Sequence, residues 1–150
     1  MRGTPDVDRP ALRSLMAEWP FVHFERVRFG DLDAMRHLNN VVFLRYFETA
    51  RIAYLRELVP GHDPAQPEAG GFGLIFAACE IAYRSPAAFD EEVAVHCRAE
   101  SPGNSSFRVA FQMLVGERLI AEGHGVLVGY DYTEGRSRPL PDALRAAIEE

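Results

Sequence analysis

The sequence predicts an α+β domain in which one long helix is wrapped by a curled antiparallel sheet of about five strands. Three observations lead there. The run Asn40–Val59 is helix-patterned and apolar around most of its circumference; an alternating, strand-like run, Phe21–Gly30, precedes it; and a train of strand-like segments separated by short turns follows it. At 150 residues and 47% hydrophobic composition, the chain suits a single domain with a substantial core. Residues 1–20 read as an N-terminal extension and 21–150 as the domain itself.

In order, residues 1–10 are polar and proline-bearing, and Ala11–Glu18 suits a short helix ended by Trp19-Pro20. Phe21–Gly30 sets Phe21, His23, Glu25, Val27 and Phe29 on one face against Val22, Phe24, Arg26 and Arg28 on the other. Asn39 or Asn40 can cap the long helix, and Pro60-Gly61 stops it. Its polar positions, Arg45, Glu48, Thr49 and Arg56, form a narrow stripe with Arg51 to one side, so the helix is a core element. After a Gly-, Pro- and Asp-rich loop, Gly61–Gly71, strands are expected at Phe72–Arg84, Glu91–Glu100, Ser106–Val115 and Arg118–Tyr132. Gly116-Glu117 suits a tight hairpin. Val93, Val95, Cys97 and Ala99 share one face, as do Phe107, Val109, Phe111 and Met113. A short helix over Pro141–Glu150 closes the chain.

Composition excludes several functions. A net charge of -6 argues against a broad nucleic-acid or anionic-membrane surface. All 16 basic residues are arginine, which removes a Schiff-base lysine. Cys79 and Cys97 lie in strand-like runs away from metal-ligand spacing, and His96 and His124 have no metal-spaced partners. The N-terminus has no apolar signal-like run, so a cytoplasmic protein is the expectation. One sheet around one helix leaves open strand edges, and a homodimer with a continuous sheet is the simplest way to close them; a tetramer stays open.

The chemistry concentrates between Phe29 and Arg51, FGDLDAMRHLNNVVFLRYFETAR. There a strand meets the long helix through a turn with two aspartates, a histidine and two asparagines. A carboxylate beside a helix start can serve as base or nucleophile toward an acyl carbonyl, while free helix N–H groups hold the developing oxyanion.

Gly30-Asp31-Leu32-Asp33-Ala34, His37-Leu38-Asn39-Asn40 and Phe43 through Glu48 with Arg51 together resemble the hotdog-fold thioesterases, specifically the 4-hydroxybenzoyl-CoA thioesterase-like group. Later landmarks agree in order: Tyr83, Pro86 and Asp90; Asn104-Ser105-Ser106-Phe107; Tyr130-Asp131; Gly135-Arg136-Ser137; and Pro139-Leu140-Pro141. The resemblance covers roughly Phe21 to Ala147 and implies a hotdog domain that hydrolyses an acyl thioester of coenzyme A or acyl-carrier protein. It implies that Asp33 is the catalytic carboxylate, that the Asn40 backbone N–H polarises the carbonyl, and that the site lies between subunits. No cofactor beyond the substrate's own coenzyme A is implied.

The departures are informative. Many members carry glycine where this chain has Arg36, so the turn differs or Arg36 meets an anionic carrier at the entrance. Basic residues that precede the Ser-Phe pair in the 4-hydroxybenzoyl branch are replaced by Gly103, Asn104 and Ser105. The junction also looks like the plant acyl-carrier-protein thioesterases, but Met35 stands where they have a functional asparagine, leaving only Asp33 and His37 in common.

Each candidate also has a bland reading. Asp33 could merely cap a turn, and Asp31, on the same face if the strand reaches it, suits a structural role. His37 could protonate the leaving group, although a thiolate leaves readily without it, or could simply bond to backbone. Glu48, about 12 Å along the axis from the helix start, suits pairing with Arg45 or Arg51. Two rivals remain: a non-catalytic acyl-CoA-binding hotdog protein, and a hotdog enoyl-CoA hydratase or dehydratase.

Overall fold

Around the helix α1 (Asn40–Leu58) the chain lays one antiparallel sheet. The computed structural model describes residues 18–60 and 72–149. The helix expected over Ala11–Glu18 (all but its last residue) and the Gly61–Gly71 loop fall outside the described residues. The strands are β1 (Phe21–Arg26), β2 (Gly73–Tyr83), β3 (Glu92–Glu100), β4 (Ser106–Val115), β5 (Arg118–Asp131) and the two-residue β6 (Arg136–Ser137); α2 (Asp142–Glu149) closes the chain. The sheet order is β1-β3-β4-β5-β2, with β6 added to β5. The structure thus has the expected helix and five long strands, plus a short sixth.

One face of the sheet meets α1. Val93, Val95, Cys97 and Ala99 of β3 and Phe107, Val109, Phe111 and Met113 of β4 are buried, as their alternation requires. Phe47 of α1 stacks on Phe111 with ring centroids 4.1 Å apart, and both rings are buried. Burying each such ring stabilises the fold by roughly 1.5–3 kcal/mol. Tyr54 of α1 accepts a hydrogen bond from the Ala99 N–H at 3.0 Å, tying the helix to β3. Burial pushes its phenol above the ordinary value.

Strand ends differ from expectation where the backbone finds other partners. β1 stops at Arg26 rather than Gly30, because Val27 is pinned to the β3 entry by Val27 N–H to Glu91 O and Asp90 N–H to Val27 O, both 2.9 Å. Phe29–Asp31 is then a turn of 3₁₀ helix. The β4–β5 hairpin has the two-residue loop expected, with Gly116 at a φ of 60°. His96 of β3 is buried: its Nδ1 lies 3.2 Å from Gln112 Nε2 and its ring centroid 6.1 Å from that of Trp19.

Among the described residues β2 is bonded along one side only, to β5, over its whole length. The close approach of these strands leaves no room for a side chain at Gly123, where a Cβ would collide with the Glu80 carbonyl oxygen. Gly123→Ala should therefore push β2 off β5 and lower stability by about 1–3 kcal/mol. Urea unfolding measures this, and an unchanged midpoint would contradict the packing.

Candidate active site

The junction between β1 and α1 is built from backbone outward. Leu32 and Leu38 form an isolated antiparallel bridge, and inside it Asp33 N–H bonds His37 O at 2.8 Å while Arg36 N–H bonds Asp33 O at 3.0 Å. The result is a tight loop whose tip carries Asp33 to His37. Its base is fastened by Asn39 N–H to Asp31 O at 2.9 Å and by Leu38 N–H to Ala87 O at 2.8 Å. Arg36 takes a left-handed φ of 64°, the conformation that a glycine would adopt without strain.

Asp33 has two faces. Its Oδ1 accepts from Met35 N–H at 2.9 Å and His37 N–H at 3.1 Å, so the turn-capping role is real. Its other carboxylate oxygen has no hydrogen-bond partner among the described residues. The side chain lines a cavity of about 310 Å³ together with His37, Asn40, Phe43 and Tyr83.

The helix start is half capped. Asn39 is the N-cap: its Oδ1 accepts from Val41 N–H at 3.1 Å and its carbonyl from Val42 N–H at 2.9 Å. The N–H of Asn40 has no acceptor among the described residues and belongs to a cavity-lining residue. A free donor at a helix N-terminus, where the aligned peptide dipoles favour negative charge, is suited to an oxyanion.

Asp31 and Asp33 do different work. With β1 ended at Arg26, the two are not successive residues on one strand face. Asp31 Oδ2 accepts from the Tyr46 hydroxyl at 2.7 Å and from Arg28 N–H at 3.0 Å, and so joins the turn to the buried second turn of α1. Burial, together with the Asp31 carboxylate, pushes the Tyr46 phenol far above its ordinary value. The structural role expected of Asp31 is the one observed, while its partner Tyr46 carried no motif that marked it.

Tyr83 was legible only as a landmark before Pro86. Its hydroxyl donates to Asn40 O at 3.1 Å and its ring meets Phe43 edge to face at 5.1 Å, so β2 grips the first turn of α1. Arg84, Ser85 and Pro86 complete that wall, with Arg84 Nε 3.3 Å from Glu122 Oε2. Arg36 is exposed and is not among the cavity-lining residues. Glu48 is exposed and makes no ion pair among the described residues, contrary to the pairing expected with Arg45 or Arg51. Among the described residues no group of three or more His, Cys, Asp or Glu side chains could hold a metal ion, and no helix is long and apolar enough to cross a membrane.

A sequence profile described as the thioesterase-like superfamily matches residues 27–148, which includes this whole junction and the sheet. The chain belongs to that superfamily. It is a thioester hydrolase of the hotdog fold. A thioesterase from Thermus thermophilus, solved in complex with coenzyme A and Zn, is 37% identical, with a TM-score of 0.73 over 87% of this chain and 92% of that one. A superfamily thioesterase from Jannaschia is 28% identical with a TM-score of 0.75, over 99% of this chain and 93% of that one. A 1,4-dihydroxy-2-naphthoyl-CoA hydrolase from Synechococcus is 28% identical over 142 residues, 89% of this chain and 93% of that protein.

The Tyr46–Asp31 bond is testable by itself. Tyr46→Phe removes one donor from a partly buried carboxylate and should cost about 1–3 kcal/mol. Chemical denaturation reads this directly, and a Tyr46→Phe protein as stable as wild type would show that the bond does not hold the turn.

Proposed function

We propose that the protein hydrolyses an acyl-CoA thioester to the free acid and coenzyme A at the Asp33–Asn40 junction. The observation that carries this reading is that Asp33 and Asn40 line one cavity, and that among the described residues one has a carboxylate oxygen without a partner and the other a helix-terminal N–H without an acceptor. A thioester carbonyl laid against the Asn40 N–H would have its oxygen polarised and its carbon turned toward Asp33. Removing one such donor in other enzymes costs on the order of 3 kcal/mol in the barrier.

Two routes fit the same geometry. In one, the free oxygen of Asp33 attacks the carbonyl carbon, the C–S bond breaks, the thiolate leaves, and water then hydrolyses the mixed anhydride. In the other, Asp33 takes a proton from water as the water oxygen bonds to the carbon, and the tetrahedral intermediate then breaks its C–S bond and releases the thiolate. Both routes are redox-neutral and call for no cofactor. His37, also in the cavity wall, is suited to giving a proton to the departing thiolate. Arg36, outside the cavity lining, is assigned only to the entrance, where a guanidinium would meet the carrier's phosphates.

The carrier is assigned as coenzyme A rather than acyl-carrier protein because the Synechococcus relative is named for a CoA ester and the Thermus relative was solved with coenzyme A. The working form is assigned as a homodimer paired through the outer edge of β2, because among the described residues no strand pairs with that edge and its middle, Phe76 to Glu80, is exposed.

Asp33→Asn should leave fold and assembly intact and lower turnover at least about 100-fold, the low end for a positioned acid–base group. Free-thiol release from a panel of acyl-CoA esters measures it. Wild-type rates from Asp33→Asn would remove the assignment. Binding without thiol release by the wild-type protein would favour a non-catalytic acyl-CoA receptor, and enoyl-CoA turnover without thiol release a hydratase.

A further inference from the structure

Among the described residues Arg51 is the one arginine that the fold buries, at 8% exposure. It sits on α1 with its guanidinium carbon 4.0 Å above the Phe76 ring and 5.4 Å from the Phe47 ring centre. No hydrogen bond and no ion pair to it exists among the described residues. Aromatic faces attract the cation but accept none of its N–H groups in the way an oxygen does. A buried guanidinium left in this state is costly, since the hydration lost on burial is not replaced by hydrogen bonds. Burial accordingly lowers its affinity for the proton, against the opposing pull of the Glu48 charge.

Two further facts locate the missing acceptor. Arg51 lies over the middle of β2, the stretch Phe76 to Glu80 that is exposed although it lies within an eleven-residue strand. Glu48 is three residues away on the same helix, exposed and likewise without an ion pair. Opposite charges one helical turn apart, neither in an ion pair among the described residues and one of them over the strand that carries the open edge, suit a self-complementary contact. A two-fold axis relating two copies across that edge would make any contact between Glu48 of one copy and Arg51 of the other twice.

We propose that Arg51 and Glu48 form reciprocal ion pairs between two copies of this chain across the β2 edge and thereby fix the register of the dimer. The inference rests on the dimer assigned above and adds to it the residues that specify it. A slip of β2 against its partner by one residue would turn every side chain to the opposite face and leave both guanidinium groups buried and unpaired. Interfaces use such repulsion against wrong alignments as much as attraction in the right one.

The experiment is trans-complementation, read by sedimentation velocity. Glu48→Arg gives a chain with two cations at the site, and Arg51→Glu gives one with two anions. Each alone should sediment as monomer, or dimerise at least 100-fold more weakly than wild type. An equimolar mixture should form heterodimer with the affinity of wild type restored to within about tenfold, equivalent to about 1.4 kcal/mol. Rescue by the mixture is the supporting result, and it also shows that both single variants are folded. If a chain carrying both Glu48→Arg and Arg51→Glu dimerises but the mixture of single variants does not, the pair acts within one chain and the proposal is overturned. Dimers of undiminished affinity from both single variants also overturn it while leaving the dimer itself standing. A monomeric wild-type protein sinks the dimer assignment first.

Discussion

The hydrogen bonds that fasten the Asp31–Asn39 turn to the start of α1 are the constraint on which the site depends. A helix offers free N–H groups at its N-terminus wherever it begins, and a turn offers a carboxylate wherever it holds an aspartate. Chemistry requires the two at fixed separation. Here the separation is set on three sides: Asp31 holds Tyr46 of α1, Asn39 N–H holds Asp31 O, and Tyr83 of β2 holds the carbonyl of Asn40. The Phe47–Phe111 stack beneath keeps α1 seated on the sheet, so the helix start cannot drift from the turn.

The frame was legible because it follows from periodicity. A helix apolar on most sides has to be enclosed, and strands that alternate over eight or more residues have to lie half-buried, which together leave few architectures. α1, β3 and β4 came out within a residue of expectation for that reason. β1 did not, since the alternation of Phe21–Gly30 continues past the point where Val27 finds backbone partners near Asp90 and Glu91. Side-chain pattern reports which face is buried and is blind to where a ladder ends.

The site was legible by halves. Asp33, His37 and Asn40 were nominated from one contiguous motif and share one cavity. Tyr83 and Phe43 also line it, but only folding brings strand β2 to the helix start, and the sequence gives a reader no measure of that approach. The charges of α1 were misread for a related cause. Helical spacing makes Glu48 and Arg51 neighbours, yet one points to solvent and the other is drawn under Phe76. Spacing of three residues permits an ion pair; the competing aromatic surface decided against it.

Arg36 shows how the turn and the proposed chemistry draw on one carboxylate. A non-glycine residue at a φ of 64° costs roughly 1–2 kcal/mol relative to the ordinary helical or extended regions. That strain persists because Asp33 Oδ1 accepts the N–H groups of Met35 and His37, on either side of Arg36, and clamps it in place. The other oxygen is thereby aimed by the same bonds that hold the strain. Asp33→Ala would at once release the clamp and remove the carboxylate oxygen to which the proposed chemistry is assigned, so a loss of activity would not separate the two. Asparagine keeps a carbonyl oxygen to accept both N–H groups and replaces only the free oxygen. The two substitutions therefore separate the architecture of the turn from its chemistry, and the gap between their stabilities measures how much of the turn rests on that one acceptor.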